Sequence, residues 1–295
     1  MRRFLHIPLR VAVALMVVIL ASVIAGILVV RSGWFHERVR ERIAFEIEKA
    51  TGGRVDLGSF TFDWTQLAAT VSPLVLHGRE KADEPPLLAI QSVTVGLRVI
   101  SMLERKVDLS SLLIVRPAVH ITFYPDGSTN IPPPKSDWVK NLFEIAVRHY
   151  AVEDGVIEYD DRKIPLNLRG ENLRAAMTHD LRTASYKGEL ASRHVRAMIA
   201  GFPPIELDTS ATFILDKSKI TLTQLRIGAG QSRADLAGVL NDPRTPHGTL
   251  SLKAAISVRD AVNWFQLPVT LTSLLRRAIT GHRTVGVAIE LLPSR

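Results

Sequence analysis

The residues of this chain that could perform chemistry form no recognised catalytic or metal-binding pattern. His36 and Glu37 begin like the helical zinc-protease motif, but Arg40 stands where that motif places its second histidine. His179 and Asp180 form an isolated pair, and the other histidines are too dispersed to give metal-ligand spacing. The chain has no cysteine, which excludes disulfides, thiolate metal sites and cysteine nucleophiles.

Carboxylate and nucleotide motifs give the same negative result. Asp160 and Asp161 fall at a predicted hairpin end, where neighbouring residues point to opposite faces, so a solvated turn is favoured over a glycosidase pair. The segment from Gly228 to Arg233 begins like a glycine-rich nucleotide loop but lacks its third glycine. No P-loop or nucleophile-elbow motif occurs. We therefore expect no enzymatic activity, no metal and no cofactor.

The strongest single signal is an apolar run at residues 11–30, which contains no charge and lies between Arg10 and Arg31. A helix needs about 20 apolar residues to cross the hydrocarbon core of a bilayer, so the run predicts a transmembrane anchor. The alternative is a cleaved secretory signal, whose apolar core is normally about 7–15 residues long. Both alternatives export the rest of the chain. Arg10, Arg31, Trp34 and Phe35 are the expected membrane-interface residues.

Charge favours a membrane over nucleic acid as the partner. The formal net charge is +8, but the basic residues are scattered among acids and aromatic residues make up only 6% of the chain. Nucleic-acid binding by stacking is therefore not expected, whereas attraction to anionic headgroups is. Basic residues flank the apolar run on both sides, so the positive-inside count is equivocal. The short N-terminal tail and the β-rich remainder favour an N-terminus in the cytoplasm.

Residues 34–50 predict one amphipathic helix, because Phe35, Val39, Ile43 and Ile47 recur at helical spacing. Thr51, Gly52 and Gly53 then supply a helix end. Two roles for the helix stay open. It lies on the bilayer surface, or its apolar side covers one end of a β structure.

From Arg54 onward the apolar period changes from 3.6 to 2, which predicts antiparallel strands with one dry face. The five side chains that we assign to this dry face are Val119, Ile121, Phe123, Leu250 and Leu252. Short helices are expected at 98–106, 138–147 and 259–265. The predicted segments are a cytoplasmic tail (1–10), an anchor (11–30), the amphipathic helix (34–50), a first β unit (54–131), a Pro-rich linker (132–137), a second β unit (138–265) and a tail of uncertain structure (266–295).

Several short motifs occur in the order in which one family presents them. They are the N-terminal span, the step Thr51-Gly52-Gly53-Arg54-Val55, the stretch 88–109, the segment Arg116–Ile121 followed by Asp126–Asn130, and residues 153–160. Over residues 8 to 265 the chain resembles the N-terminal region of the AsmA-like family, which includes the TamB-type envelope proteins. Members are typically longer, so this chain is expected to be a truncated product or a short member.

The resemblance implies a mainly β fold with an N-terminal transmembrane helix, an amphipathic helix and an extended antiparallel β-sheet groove, a β-taco. It implies a bacterial inner-membrane anchor, a periplasmic location, and phospholipid transfer or envelope assembly, with acyl chains and envelope proteins as partners. The candidate lining of the lipid groove is then the set of five dry-face side chains, Val119, Ile121, Phe123, Leu250 and Leu252. From the residues alone, a closed sandwich or barrel is the alternative fold. The alternative functions are a membrane-tethered scaffold that binds a partner at a sheet edge and, less favoured, an exported hydrolase.

Overall fold

The computed structural model describes residues 32–97, 109–133, 140, 143, 147–243, 247–265 and 285–291, the last range by its backbone only. The apolar run 11–30 and its flanking residues Arg10 and Arg31 lie outside these ranges. Among the helices that the structure describes, none has the length and hydropathy needed to cross a membrane.

The fold is mainly β, as the alternating pattern predicts. Two helices are described, α1 (Gly33–Thr51) and α2 (Val258–Phe265). The twelve strands are β1 (Arg54–Asp63), β2 (Ala68–His77), β3 (Leu88–Leu97), β4 (Leu109–Phe123), β5 (His149–Asp161), β6 (Leu166–Asp180), β7 (Ser185–Ile199), β8 (Ile205–Leu215), β9 (Lys219–Ala229), β10 (Ser232–Asn241), β11 (His247–Ala255) and β12 (Val285–Leu291).

All twelve strands belong to one sheet, and their order in space is their order in the chain. The sheet is open, because β1 and β12 are its two outer strands and do not pair with each other. Within the described residues there is no second sheet, so neither the barrel nor the sandwich alternative is formed there. The twelfth strand lies in the segment 266–295, whose structure the sequence pattern leaves uncertain, and it extends the sheet by pairing with β11.

The expectation of a wholly antiparallel sheet is wrong at one pair. β4 and β5 run parallel, with Val119 beside Ile157, whereas every other neighbouring pair is antiparallel. The connection 124–148 is long enough to return the chain to the opposite end of the strands, which a parallel pair requires. This pair joins the two β units, 54–131 and 138–265, into one sheet. Most of the linker 132–137 lies outside the described residues.

Helix α1 covers the end of the sheet formed by β1 to β3. Its first turn is capped by Ser32, whose Oγ accepts a hydrogen bond from Phe35 N at 3.2 Å, and it ends at Gly52 with a left-handed φ of 79°. Ile43 and Ile47 pack against the buried cluster of Val71, Leu74 and Ile90. Of the two roles considered for this helix, covering the β structure is therefore the one that the contacts show.

Helix α2 is attached near the other end of the sheet. The buried carboxylate of Asp260 accepts hydrogen bonds from Gln231 N at 2.8 Å and from Ser232 Oγ at 2.7 Å. These bonds tie the helix to the turn between β9 and β10.

Irregularities occur near the middle of consecutive strands. Arg116, Asp154, Asn172 and His194 have φ between 49° and 63° although they are not glycines, and they lie in β4, β5, β6 and β7 respectively. The register shifts by one residue at each bulge of β5, β6 and β7. A bulge bends its strand and increases the local twist. The bulges lie at corresponding positions in neighbouring strands. The same face of the sheet is therefore apolar before and after the bulges.

Candidate functional site

The register places all five of the predicted dry-face side chains on one face of the sheet, here called the apolar face. Val119, Ile121 and Phe123 are on β4, and Leu250 and Leu252 are on β11. The sheet order puts seven strand spacings between these two groups, which corresponds to about 34 Å at about 4.8 Å per strand. The two groups are thus separate points on a continuous surface.

The strands between them fill this surface with side chains that the sequence analysis did not assign to the site. Following the pairing from strand to strand, the face is continued by Val152, Ile157, Leu168, Leu173, Leu190, Val195, Leu207, Phe213, Leu222, Leu225, Ile227 and Leu236. The alternation of apolar and polar residues could have identified these side chains. Inside β5, β6 and β7, however, a bulge reverses which residues of the alternation point to the apolar face.

The apolar face is buried at one end and half-exposed over most of its length. Under α1, Val55, Leu74 and Ile90 are 7% to 8% exposed. From β5 to β11, the aliphatic side chains on this face are mostly half-buried, and in the described part the buried exceptions are Ala197, Leu215 and Ala229. Of the described helices and strands, none packs along this stretch: α1 lies over β1 to β3, and α2 is tied to a strand-end turn.

Small residues lower the middle of the half-exposed stretch. Ala175 and Ala211 flank Leu190 in one cross-strand row. In a neighbouring row, Gly188 is covered by the ring of Phe213, and a Cβ at Gly188 would overlap that ring. The surface at Ala175 and Ala211 is therefore lower than at their bulkier neighbours Leu190 and Phe213.

The strands end at two edges, which we name after one turn residue each. The Trp64 edge contains the turns at 64–67, 181–184 and 216–218. The Arg162 edge contains the turns at 162–165, 200–204 and 230–231.

At the Trp64 edge an aromatic cluster closes off the apolar face of β5 to β7. The ring centroid of Tyr186 lies 5.6 Å from that of Tyr150, 4.7 Å from that of His179 and 5.3 Å from that of Phe143. Tyr186 is fully buried. Burial, together with the hydrogen bond to Tyr186, raises the pKa of Tyr150 above its ordinary value.

At the Arg162 edge a hydrogen-bonded group ties the loop after β2 to the ends of β4 and β5. Tyr124 donates its hydroxyl to Glu84 Oε2 at 2.5 Å, and Arg162 Nη1 lies 2.8 Å from Glu84 Oε1. The Tyr124 bond, assisted by the Arg162 guanidinium, lowers the pKa of Glu84 to about 2. Burial and the Glu84 carboxylate raise the pKa of Tyr124 to about 12.

The opposite face of the sheet, here called the polar face, carries cross-strand ion pairs. His120 Nε2 lies 3.5 Å from Glu158 Oε2, and Glu158 also pairs with Arg169 on the next strand. Farther along, Arg196 Nε lies 2.7 Å from Glu206 Oε1. Such pairs add little stability in water, but they keep this face hydrated. The two faces of the sheet therefore differ chemically: one carries apolar side chains and the other carries ion pairs.

Strands β5 to β8 also line an open depression of about 660 Å³, and its lining combines Val152, Ala175, Leu190 and Ala211 of the apolar face with residues of the polar face. Its charged lining residues include Glu153, Arg174 and Glu189, and much of the rest is alanine, serine and threonine. The lining contains no histidine that could serve as a base for Ser210 or Thr212. This depression does not supply the convergent groups that a hydrolase needs.

The residues singled out for chemistry have structural roles. His36 Nδ1 lies 2.9 Å from the carbonyl oxygen of Ser32, at the start of α1. Asp160 pairs with Arg162, whereas Asp161 accepts bonds from the backbone of Lys163 and Ile164 in the turn. In the described ranges, no cluster of three or more histidine and carboxylate side chains has the arrangement of a metal site.

The outer side of β1, which no other described strand pairs with, is occupied by side chains of α1. Glu48 Oε1 accepts a hydrogen bond from Val55 N at 2.8 Å, and Arg40 Nη1 donates to the carbonyl oxygens of Leu57 and Gly58 at 3.4 Å. These backbone groups belong to β1, the outer strand, and would otherwise be open to strand addition.

Comparison with known proteins adds no identity to this geometry. No family model matches the chain, and no curated protein matches it.

Proposed function

We propose that this chain is a membrane-anchored protein of the bacterial periplasm that shields phospholipid acyl chains on its apolar face, in lipid transfer or envelope assembly. The mechanism is passive: acyl chains contact the apolar face while headgroups stay in water. The chain itself performs no covalent step and holds no cofactor. Membrane lipids are its principal partners, and envelope assembly proteins are the second class.

The observation that carries the proposal is the half-exposed apolar face from β5 to β11. A sheet with one apolar face normally covers it with another layer of structure. Each methylene of an acyl chain that leaves water contributes about 0.8 kcal/mol, so a chain lying along this face is strongly held. The ion-paired polar face offers no comparable surface for an apolar ligand.

The shape of the face fits a chain-like ligand. The apolar surface continues from strand to strand for more than 30 Å by the strand spacing of about 4.8 Å. Ala175 and Ala211 leave low points on the two sides of Leu190. At the Trp64 edge, the Tyr150 and Tyr186 cluster bounds this part of the apolar face. A lipid held here keeps its acyl chains on the face and its headgroup at the solvent boundary.

Membrane attachment rests on the sequence. The uncharged run 11–30 is long enough to span a bilayer, and Arg31 separates it from the cap of α1 at Ser32. The resemblance to the AsmA-like family supports the same arrangement, with the sheet on the periplasmic side. Arg10, Arg31, Trp34 and Phe35 are the residues proposed to lie at the interface.

The scaffold alternative needs an open sheet edge. Glu48 and Arg40 of α1 occupy the edge of β1, which disfavours strand addition there. That function is therefore restricted to the β12 side of the sheet, and we rank it second.

Lipid mass spectrometry on the full-length chain tests the proposal. The chain is purified in a mild detergent beside a control membrane protein with one span of the same length. The proposal predicts phospholipid retained in stoichiometric amount by this chain and much less by the control. Equal lipid in both preparations would mean that the span alone carries it, and would overturn the proposal.

A further inference from the structure

The turn between β1 and β2 begins with an exposed tryptophan. Trp64 is 50% exposed, and its ring packs edge-on against Phe62 with centroids 4.6 Å apart. The turn is held rigid by Asp63, whose Oδ1 accepts bonds from Thr65 N at 2.8 Å and Gln66 N at 3.2 Å. Half of this large apolar ring is thus left exposed to solvent at a rigid polar turn.

A second exposed tryptophan lies at the same edge. Helix α1 runs antiparallel to β1: Ile47 packs beside Val55, Arg40 reaches Leu57, and the ring of His36 lies 5.7 Å from that of Phe60. Residues nearer the N-terminus of the helix therefore lie beside residues nearer the C-terminal end of β1. Trp34, which is 66% exposed, precedes His36 by two residues, and Trp64 follows Phe60 by four.

The chain that precedes α1 limits where this edge can lie. The apolar run ends at Val30, four residues before Trp34. An extended chain spans at most about 3.6 Å per residue, so Trp34 lies within about 14 Å of the end of the run. Arg38, whose guanidinium carbon lies 6.0 Å from the centroid of Trp34, adds a cation beside this ring. Tryptophan with neighbouring arginine is the composition that favours the headgroup layer of a bilayer.

We propose that the β1–β2 turn is a second membrane contact, in which Trp64 enters the headgroup layer of an anionic bilayer beside Trp34. The contact rests on the proposed membrane attachment but not on lipid binding by the apolar face. It fixes the sheet against the bilayer at two points, the helix start and this turn. Without it, only the link around Arg31 restrains the domain.

Quenching of tryptophan fluorescence by brominated lipid tests this contact. The full-length chain is reconstituted into vesicles of phosphatidylethanolamine and phosphatidylglycerol, with bromine on the acyl chains of part of the phosphatidylethanolamine. One variant keeps Trp64 alone (W34F, W138F, W264F). Its matched control keeps Trp264 alone (W34F, W64F, W138F), because Trp264 lies in α2, which is tied to the opposite strand-end edge.

The expected result is that brominated lipid lowers the emission of Trp64 by about two-fold or more, as for an interfacial ring, and leaves that of Trp264 nearly unchanged. Quenching of Trp64 no stronger than that of Trp264 would overturn the proposal. Protection of Trp64 from aqueous iodide without quenching by lipid would assign the turn to a protein contact instead, and would also overturn it.

Repeating the measurement with Ala175→Asp separates this contact from lipid on the apolar face. The proposal predicts unchanged quenching of Trp64, because the bilayer is the source of bromine. Quenching that disappears in this variant would place the quencher on the apolar face, and the membrane contact would be wrong. Retained face-bound lipid with an unquenched Trp64 would reject the contact while leaving the proposed function intact.

Discussion

Ala175 and Ala176 are neighbours in β6 that lie on opposite faces of the sheet. Ala175 pairs with Val152 and Leu190 on the apolar face, whereas Ala176 pairs with Ala151 and Glu189 on the polar face. The two side chains are identical in size and one residue apart. They allow the chemistry of the two faces to be compared with almost no other change.

Ala175→Asp is expected to remove lipid from the purified chain while costing about 1–2 kcal/mol of unfolding free energy, because the new carboxylate stays partly hydrated on an open face. Ala176→Asp is expected to leave the bound lipid unchanged and to cost less than about 1 kcal/mol, the cost coming from repulsion by Glu189 directly opposite it on β7. Lipid mass spectrometry and denaturant unfolding of both variants provide the measurement. A loss of about 3–5 kcal/mol for Ala175→Asp alone would show that the carboxylate is buried in a closed core.

The Tyr124–Glu84 hydrogen bond predicts a dependence of stability on pH. The pKa of Glu84 is lowered to about 2 in the folded chain from an ordinary 4.5. The carboxylate therefore stabilises the fold fully above pH 4.5, and this stabilisation is lost as the pH falls toward 2. Tyr124→Phe is expected to lower the unfolding free energy at pH 7 by about 1–3 kcal/mol and to flatten its slope over this range.

Tyr159→Phe is the control for that experiment. Tyr159 donates to Asp161 at 3.3 Å, but the pKa of Asp161 is lowered first by the backbone N–H of Ile164. The control is expected to keep the pH slope of the unmodified chain. The same slope in Tyr124→Phe would contradict the role given to the Glu84 bond.

Much of the fold follows from local sequence pattern, and the parts that do not follow depend on distant residues. The alternation around Val119 and Leu250 identifies the apolar face, and the spacing of Ile43 and Ile47 identifies the buried side of α1. The parallel pairing of β4 with β5 is not visible locally, because a strand has the same alternation in either direction.

The apolar side chains of β5 to β7 were harder to predict, because the bulges interrupt the alternation of apolar and polar residues. In β6, Leu166 and Leu168 precede the bulge on the apolar face, whereas Leu173 and Ala175 follow it on the same face with the opposite parity of numbering. If strict alternation is assumed across Asn172, one half of β6 is assigned to the wrong face of the sheet. The β12 strand was missed for a different reason: 29 residues, which include α2, separate it from its pairing partner β11.

The contact between Glu48 and Val55 predicts a protective role for α1. Glu48→Ala is expected to lower the unfolding free energy by about 1–2 kcal/mol, because the N–H of Val55 loses its acceptor. It is also expected to increase self-association, since the edge of β1 becomes open to another strand. Unfolding curves and sedimentation velocity in detergent give the two readings.

Glu46→Ala is the matched variant, because Glu46 pairs with Arg42 on the exposed side of the same helix, with Nη2 and Oε1 2.6 Å apart. Its expected cost is only about 0.3–0.5 kcal/mol, with no change in association. Equal behaviour of the two variants would show that Glu48 does not protect the edge.

Site-specific photocrosslinking to lipid tests the central claim most directly. A benzophenone side chain replaces Leu225, on the apolar face of β9, or its neighbour Gln224, which bonds Asp235 on the polar face at 3.2 Å. After irradiation in native membranes, the account predicts a phospholipid adduct at position 225 and little or none at position 224. Equal adducts at both positions, or none at 225 in a folded chain, would contradict an acyl-chain site on the apolar face.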